Sequence, residues 1–186
     1  MATTAELLPW YGLAKQGRVF TGNWTGVVLP IYSNTTQQVG LWNPLGSGVD
    51  LIIRRIALTY VSTTSAAGGF VLGYLPNAPA AVGTGLAISA FTETASISGY
   101  GVGYSSVAKY GFGATLTVTA PAVWRHIGLN QLVVTAADAT TVPWKADYEF
   151  DGDAVVVPGT AIFVAGNIAT LITLAGSITW AEVSRI

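Results

Sequence analysis

The 186-residue chain contains no cysteine and few charged side chains. Without cysteine it has no disulfides, zinc–thiolate sites or thiol nucleophiles, and the redox compartment is left open. Asp, Glu, Lys and Arg make up 9% of the residues, against about 25% in an ordinary domain. The net charge is −1 and the basic residues are scattered, whereas nucleic-acid binding requires a basic stripe. We therefore expect no nucleic-acid partner.

Low charge also bears on how the chain stays in solution. Apolar residues make up 51% of the sequence, which argues against disorder. A lone monomer needs surface charge to stay dispersed, so we expect sister copies or another protein to cover part of the surface. The N-terminus lacks the basic region and apolar core of a signal peptide, since Glu6, Pro9 and Gly12 interrupt it. We expect no export signal.

Residues 154–181 contain no Asp, Glu, Lys or Arg, which raises the question of a membrane span. A spanning helix needs about 20 apolar residues, and residues 161–179 approach that length. However, a Pro158–Gly159 turn signal precedes the run, Asn167 interrupts it, and its apolar residues are largely β-branched. No basic cluster flanks it to set a membrane orientation. We therefore expect core strands here and no membrane anchor.

The longest β-rich run is VDLIIRRIALTYVST, residues 49–63. Strict alternation predicts that Ile52 and Ile56 share one face and that Leu51 and Ile53 share the other. Arg54 and Arg55 interrupt both faces, so each is expected to meet a carboxylate, a carbonyl or a subunit boundary. The glycine–aromatic stretch GYGVGYSSVAKYGFG, residues 99–113, lacks clear periodicity and predicts a long loop.

Similar runs recur along the chain, and about ten to twelve short strands separated by Gly, Pro and Asn indicate an all-β fold. An antiparallel β-sandwich or jelly roll fits this pattern best. Long helical periodicity and repeats of fixed length are absent from the sequence. We predict an extended N-terminal arm over residues 1–20 and a single β-sandwich, jelly-roll-like domain over residues 21–186.

Four acidic residues alternate near the start of the C-terminal apolar region. They are Asp147, Glu149, Asp151 and Asp153. On a strand they would share one face, which makes them weak candidates for Ca²⁺ ligands. A calcium loop would need a bidentate Glu where Pro158 stands. We favour a strand with an acidic solvent face and a core face of Tyr148 and Phe150, and we expect no bound metal.

The ionisable residues do not predict an enzyme. His126 is the only histidine, and no GxSxG nucleophile elbow accompanies it. The glycine-rich pieces GYGVG and YGFG lie among β-rich runs, whereas a dinucleotide fingerprint opens a helix after a strand. We expect no catalytic residue and no cofactor.

Aromatic side chains in the glycine-rich stretch would be able to stack on sugars if they were exposed. They are Tyr100, Tyr104, Tyr110 and Phe112. Ordinary packing beneath loops or at interfaces is the favoured interpretation. The alternative function is a receptor-binding module of a tail or head fibre, in which this exposed aromatic loop holds a host surface glycan.

Two stretches resemble small structural proteins of tailed-bacteriophage virions. One is VGLWNPLGSGVDLIIRRIALTYVS, residues 39–62; the other is FDGDAVVVPGTAIFVAG, residues 150–166, with SITWAEV, residues 177–183. In those proteins a turn like WNPLGSG leads into a long apolar strand, and a turn like PGT precedes the last strands. The shared motifs are turns and strands, and none carries chemistry.

The resemblance implies a non-enzymatic, jelly-roll-like subunit, commonly trimeric, that acts as a capsid cement or decoration protein or sits in the tail apparatus. It implies that the protein is located in the virion, after assembly in the host cytoplasm. The implied partners are sister copies and the major capsid protein or another virion protein. An arm can lie across neighbouring shell subunits, and we expect residues 1–20 to do so. The expected contact residues are Leu8, Trp10, Tyr11 and Arg18.

Overall fold

A computed structural model describes residues 4–33, 36–62, 68–75, 105–117, 122–130, 145–168 and 173–185. The described residues form one helix, α1 (Thr4–Lys15), and ten strands. The strands are β1 (Val19–Val28), β2 (Thr36–Asn43), β3 (Val49–Ser62), β4 (Gly68–Leu75), β5 (Lys109–Thr117), β6 (Ala122–Asn130), β7 (Lys145–Glu149), β8 (Val155–Val156), β9 (Thr160–Gly166) and β10 (Thr173–Ser184). The predicted all-β class is confirmed.

The strands form two five-stranded antiparallel sheets that pack face to face. The first sheet has the order β1-β10-β3-β7, and β8 also pairs with β3. The second sheet has the order β5-β2-β9-β4-β6. Side chains from both sheets enter one buried apolar cluster, which is the core. The predicted antiparallel β-sandwich is thus confirmed, with successive strands β1 to β4 alternating between the sheets.

Four aromatic rings form a stack across this core. The ring centroids of Phe20 and Trp180 lie 6.0 Å apart, those of Trp180 and Tyr110 6.3 Å, and those of Tyr110 and Phe112 6.1 Å. Tyr110 lies against Gly22 of β1, where an added Cβ would come within 2.7 Å of the ring. A side chain at position 22 would therefore displace the stack.

The predicted aromatic loop is wrong at Tyr110 and Phe112. Both residues belong to strand β5, which pairs with β2. Tyr110 is only 2% exposed, and Phe112 packs against the core. The glycines on either side made this stretch look irregular, but Gly22 on the opposite sheet provides the space that the Tyr110 ring fills. Tyr100 and Tyr104 lie outside the described residues.

The uncharged C-terminal region forms strands β9 and β10, as the sequence predicts. All residues of β9 are buried, which is the pattern expected of a continuous apolar run covered on both faces. Its outward side chains join Trp42 and Val71 in a second buried cluster on the outer face of the second sheet. Of the helices among the described residues, none has the length and apolar character needed to cross a membrane.

Strand β3 contains a bulge at Arg54. Opposite it, Trp180 pairs with Ile53 and Thr179 pairs with Arg55, so Arg54 is an extra residue. The bulge reverses the alternation, and the buried residues are Leu51 and Ile53 before it and Ile56 and Leu58 after it. The predicted separation of Ile53 and Ile56 onto opposite faces is therefore wrong.

Strand β1 has a comparable bulge at Thr25 and Gly26. Trp24 pairs with Gly176 and Val27 pairs with Leu174, so the two strands are out of step by one residue between these pairs. Gly26 has a φ of 64°, a left-handed conformation that glycine adopts without steric cost. Trp24 and Val27 are consequently both buried, although strict alternation would place them on opposite faces.

The expected extended arm is wrong for residues 4–15, which form α1. Gly17, two residues after the helix ends at Lys15, has a φ of 70°. There the Arg18 N–H donates to Leu13 O and the Gly17 N–H donates to Ala14 O, each at 2.9 Å, which is a Schellman cap. Helix α1 contacts β1 and β10.

An apolar row on the outer face of the first sheet explains why a helix packs there. Val19, Ala181 and Ile52 are paired side by side across β1, β10 and β3. Ala181 is fully buried although its neighbours Trp180 and Glu182 occupy the inward positions of β10. Burial of apolar surface stabilises a helix that is too short to persist alone in water.

Candidate partner-binding surface

One end of the sandwich gathers the structural elements that carry the sequence-predicted contact residues. Strands β1, β3 and β5 begin there, and β2 and β10 end there, as their antiparallel pairing requires. We call it the helix-bearing end. It comprises residues 10–18, 44–48, 105–108, 157–159 and 182–185.

Arg18 connects the exit of the helix to the C-terminal residues. Its Nη1 donates a hydrogen bond to Ser184 Oγ at 2.9 Å, and its carbonyl oxygen accepts one from the Glu182 N–H at 2.9 Å. Arg185 follows Ser184 in the sequence, and its Nε lies 3.3 Å from Asp50 Oδ1. The Arg185 N–H also donates to Gly48 O at 3.0 Å. These bonds tie the helix, the β2–β3 turn and the last strand together.

Glu182 is a buried acid that holds the segment leading into β5. Only 2% of the residue is exposed. Its Oε1 accepts hydrogen bonds from Ser106 Oγ at 2.5 Å, from the Val107 N–H at 3.0 Å and from the Ala108 N–H at 3.3 Å. A buried carboxylate with several donors is satisfied. Glu182 was not among the residues expected from the sequence, although its spacing from Trp180 and Ile178 indicates an acid on the core face.

Asn43 joins the β2–β3 turn to the turn before β9. Its side-chain amide donates to Val49 O at 2.9 Å and to Val156 O at 2.8 Å. Its own carbonyl accepts a hydrogen bond from the Gly159 N–H at 2.8 Å. The motifs WNPLGSG and PGT are thus in direct contact, because one asparagine bridges them.

The expected contact residues on the helix are brought to this end. The guanidinium carbon of Arg54 lies 5.1 Å from the centre of the Trp10 ring, and Lys15 Nζ lies 4.7 Å from that of Tyr11. Trp10 is half-buried, whereas Tyr11 is exposed. Leu8 belongs to α1, but its side chain lies outside what the structure describes. Arg54 thereby finds an aromatic partner.

Large apolar side chains are exposed at the same end. Leu45 is 62% exposed, Tyr11 50% and Val107 36%. The charged side chains of Lys15 and Arg185 are exposed at this end as well, and Lys15 lies over the Tyr11 ring. Apolar side chains with a charged, solvated rim are the usual composition of a protein–protein contact. This end is therefore suited to bind another protein surface.

The four predicted acidic residues lie on one side of the sandwich, along β7 and the loop that follows it. All of them are exposed. We call this side the acidic flank. On its inner side Tyr148 and Phe150 pack with ring centroids 4.7 Å apart, and Phe150 is buried. The predicted pairing of an acidic solvent face with an aromatic core face is confirmed for these residues.

Two arginines pair with the acidic flank. Arg55 forms a two-pronged ion pair with Asp147, and this hydrogen bonding raises the pKa of the guanidinium above its ordinary value. Arg125 lies 2.7 Å from Asp153, and hydrogen bonding to Asp153 likewise raises the Arg125 pKa. Among the described residues, no group of three or more His, Cys, Asp or Glu side chains is arranged to hold a metal ion. His126 is exposed on β6.

Comparisons of the chain with protein-family models, with curated proteins and with solved structures found no match.

Proposed function

We propose that the chain is a non-enzymatic structural protein of a phage virion, which binds the assembled head as a homotrimeric decoration or cement protein. The observation that carries the proposal is the contact between the two phage-like turn motifs. Gly159 of PGT donates to the carbonyl of Asn43 in WNPLGSG, and the Asn43 amide donates to Val49 O and Val156 O. The motifs that carry the resemblance form one structural unit beside α1.

The order of the strands supports the finer assignment of a jelly roll. With β5 and β8 set aside, the sheets are β1-β10-β3-β7 and β2-β9-β4-β6. The last strand then lies between the first and third in one sheet, and β9 lies between the second and fourth in the other. Two interleaved Greek keys of this kind make up a jelly roll. Strand β5 extends the second sheet beside β2.

The mechanism in this proposal is mass action. A protein that binds only the assembled shell stabilises the shell by about 2.7 kcal/mol per site at 100-fold excess over Kd. The contacts that join the copies of the homotrimer come from the helix-bearing end, where Tyr11 and Leu45 are exposed. The sparse charge of the chain supports a protein that is covered by partners in its working state.

The proposal is tested with expanded heads of a candidate phage that lack decoration. Addition of the purified protein is expected to give saturable binding and to raise the melting temperature of the heads in calorimetry. A Tyr11→Asp/Leu45→Asp variant, in which the contacts between copies are weakened, should bind more weakly because fewer linked copies attach to the head. A Val28→Asp variant, altered at an exposed apolar residue at the opposite end, should bind as the unmodified protein does. Heads that melt identically with and without the protein contradict the proposal.

A further inference from the structure

The helix-bearing end and the acidic flank differ in the charged side chains that they carry. The helix-bearing end carries the basic residues Lys15, Arg18 and Arg185. Of the acids described in or next to it, Asp50 pairs with Arg185, and Glu182 is buried and accepts hydrogen bonds from the segment before β5. The acidic flank carries its four carboxylates on a different side of the sandwich, at the far strand of the first sheet. The chain therefore presents a basic end and an acidic side at the same time.

Internal ion pairs leave part of each region unpaired. Arg55 and Arg125 form ion pairs with Asp147 and Asp153. Glu149 lies opposite Arg55 in the strand pairing and interacts with its charge, but among the described residues neither Glu149 nor Asp151 forms an ion pair of its own, and both are exposed. At the helix-bearing end, Lys15 lies over the Tyr11 ring and no described acid pairs with it. The Arg185 side chain is 54% exposed even though it contacts Asp50.

We propose that copies of this chain associate head to flank: the helix-bearing end of one copy docks on the acidic flank of the next. The inference rests on the proposed homotrimer and names the surfaces that form it. Leu45, Tyr11 and Val107 supply the apolar centre of the contact. Lys15 and Arg185 face Glu149 and Asp151 of the neighbouring copy, and this charge complementarity fixes the orientation of the contact.

A second copy fits this end better than other occupants do. Few residues of the chain are charged, and its net charge is −1. Each copy nevertheless carries both the basic end and the acidic flank, so two copies supply complementary surfaces to each other. A contact between two different surfaces is heterologous and closes into a ring when the rotation between copies allows it. Nucleic acid would require a continuous basic stripe, whereas the eight basic residues are scattered along the sequence.

Charge reversal tests the contact directly. Lys15→Glu/Arg185→Glu and Glu149→Lys/Asp151→Lys should each convert the oligomer to monomer in light scattering at low salt. A chain with all four changes restores opposite charges across the contact and should recover the oligomer. High salt should weaken the oligomers of the unmodified and four-fold chains alike, because screening weakens exposed ion pairs. An oligomer that persists in both double variants overturns the proposal, and so does a four-fold chain that stays monomeric.

The controls separate folding and function from association. Asn23→Lys/Thr25→Lys adds two positive charges at exposed positions of β1 and should leave the oligomer intact. Circular dichroism and thermal melts check that each variant folds. Association by this contact without head binding contradicts the proposed function alone. Loss of head binding in variants that keep the unmodified oligomer assigns the helix-bearing end to the shell and overturns the head-to-flank contact.

Discussion

The two sheets share one core but differ on their outer faces. In the second sheet the outer face is a buried cluster that includes Trp42, Val71 and Phe163. In the first sheet, outward residues such as Thr21 and Thr179 are only half-buried, and their hydroxyl oxygens lie 3.2 Å apart. The second sheet therefore depends on apolar packing on both faces. The first sheet depends on it mainly on one face, and its other face bears the helix and the acidic flank.

This difference separates the part of the molecule that mainly stabilises the fold from the part that is open to contacts with other molecules. A strand buried on both faces contributes apolar burial twice, at roughly 25 cal/mol per Å². A strand with a half-exposed polar face is available for contacts with other molecules. Substitutions on the two sheets, or at the contacts between them, measure the two contributions separately.

The largest effect is expected for Phe163→Ala on the outer face of the second sheet. Phe163 is 1% exposed and lies across Gly73 of β4. Removal of a buried aromatic ring costs about 3–5 kcal/mol. Thr179→Ala on the outer face of the first sheet should change stability by no more than about 0.5 kcal/mol. Urea unfolding measures both, and similar losses would contradict the comparison.

A smaller loss is expected for Glu182→Ala, which removes the acceptor that connects the first sheet to the segment before β5. The Ser106 hydroxyl and two backbone N–H groups lose their partner. Unsatisfied buried donors cost about 1–3 kcal/mol. Glu182→Gln keeps one carbonyl oxygen and should lose less than Glu182→Ala, and Asn23→Ala at an exposed position of β1 should have no measurable effect. Equal denaturation midpoints for Glu182→Ala and the unmodified chain would show that this connection is dispensable.

Gly73→Ala tests the packing on the outer face of the second sheet. An added Cβ would lie 2.1 Å from the Phe163 ring, so we expect a loss of about 1–3 kcal/mol from overpacking. In Phe163→Ala the ring is absent, and the second substitution should then cost less than it does alone. Gly12→Ala in α1, where a Cβ meets nothing within 4 Å, should instead stabilise the protein by up to about 1 kcal/mol. Strictly additive losses would rule out the contact.

The smallest effect at neutral pH is expected for Tyr110→Phe. The Tyr110 hydroxyl is buried with no described hydrogen-bond partner, so its removal should be neutral or stabilising by about 1 kcal/mol. Burial also raises the pKa of Tyr110 above its ordinary value. The folded state therefore keeps the phenol proton that the unfolded chain loses above about pH 10. Stability conferred by this proton is full below that pH and is lost above it.

Alkaline unfolding measures this linkage. Tyr110→Phe should retain more stability than the unmodified chain above about pH 10, whereas Tyr11→Phe, at an exposed ring, should behave as the unmodified chain does. Identical alkaline profiles for the unmodified chain and Tyr110→Phe would place the hydroxyl in water and contradict its burial.

Local patterns in the sequence predict burial correctly where burial depends only on the residues of one strand. TAIFVAG is apolar throughout and is buried throughout. The same reasoning was wrong past Ile53, because the extra residue at Arg54 is defined by the pairing of β3 with β10. It was wrong at Tyr110 because the space for that ring comes from Gly22, which is distant in sequence.

The helix and the surface at its end required information of both kinds. Thr3 and Glu6 have the spacing of a capping box, and Gly17 is a typical helix stop, so local signals for α1 were present. The packing of α1 on β1 and β10 depends on how these two strands pair with each other. The meeting of Asn43 with Gly159 follows from the pairing of β2 with β9, which the sequence motifs alone do not specify.

The bulge at Gly26 has a consequence for the solubility of so apolar a chain. Strand β1 is the outermost described strand of its sheet, and no other described strand pairs with the free side of its backbone. A straight strand in this position would template the addition of further chains and nucleate fibres. The extra residue at Thr25 and Gly26 breaks the ladder there, so an incoming strand finds donors and acceptors out of step. Polymerisation through β1 is thereby discouraged.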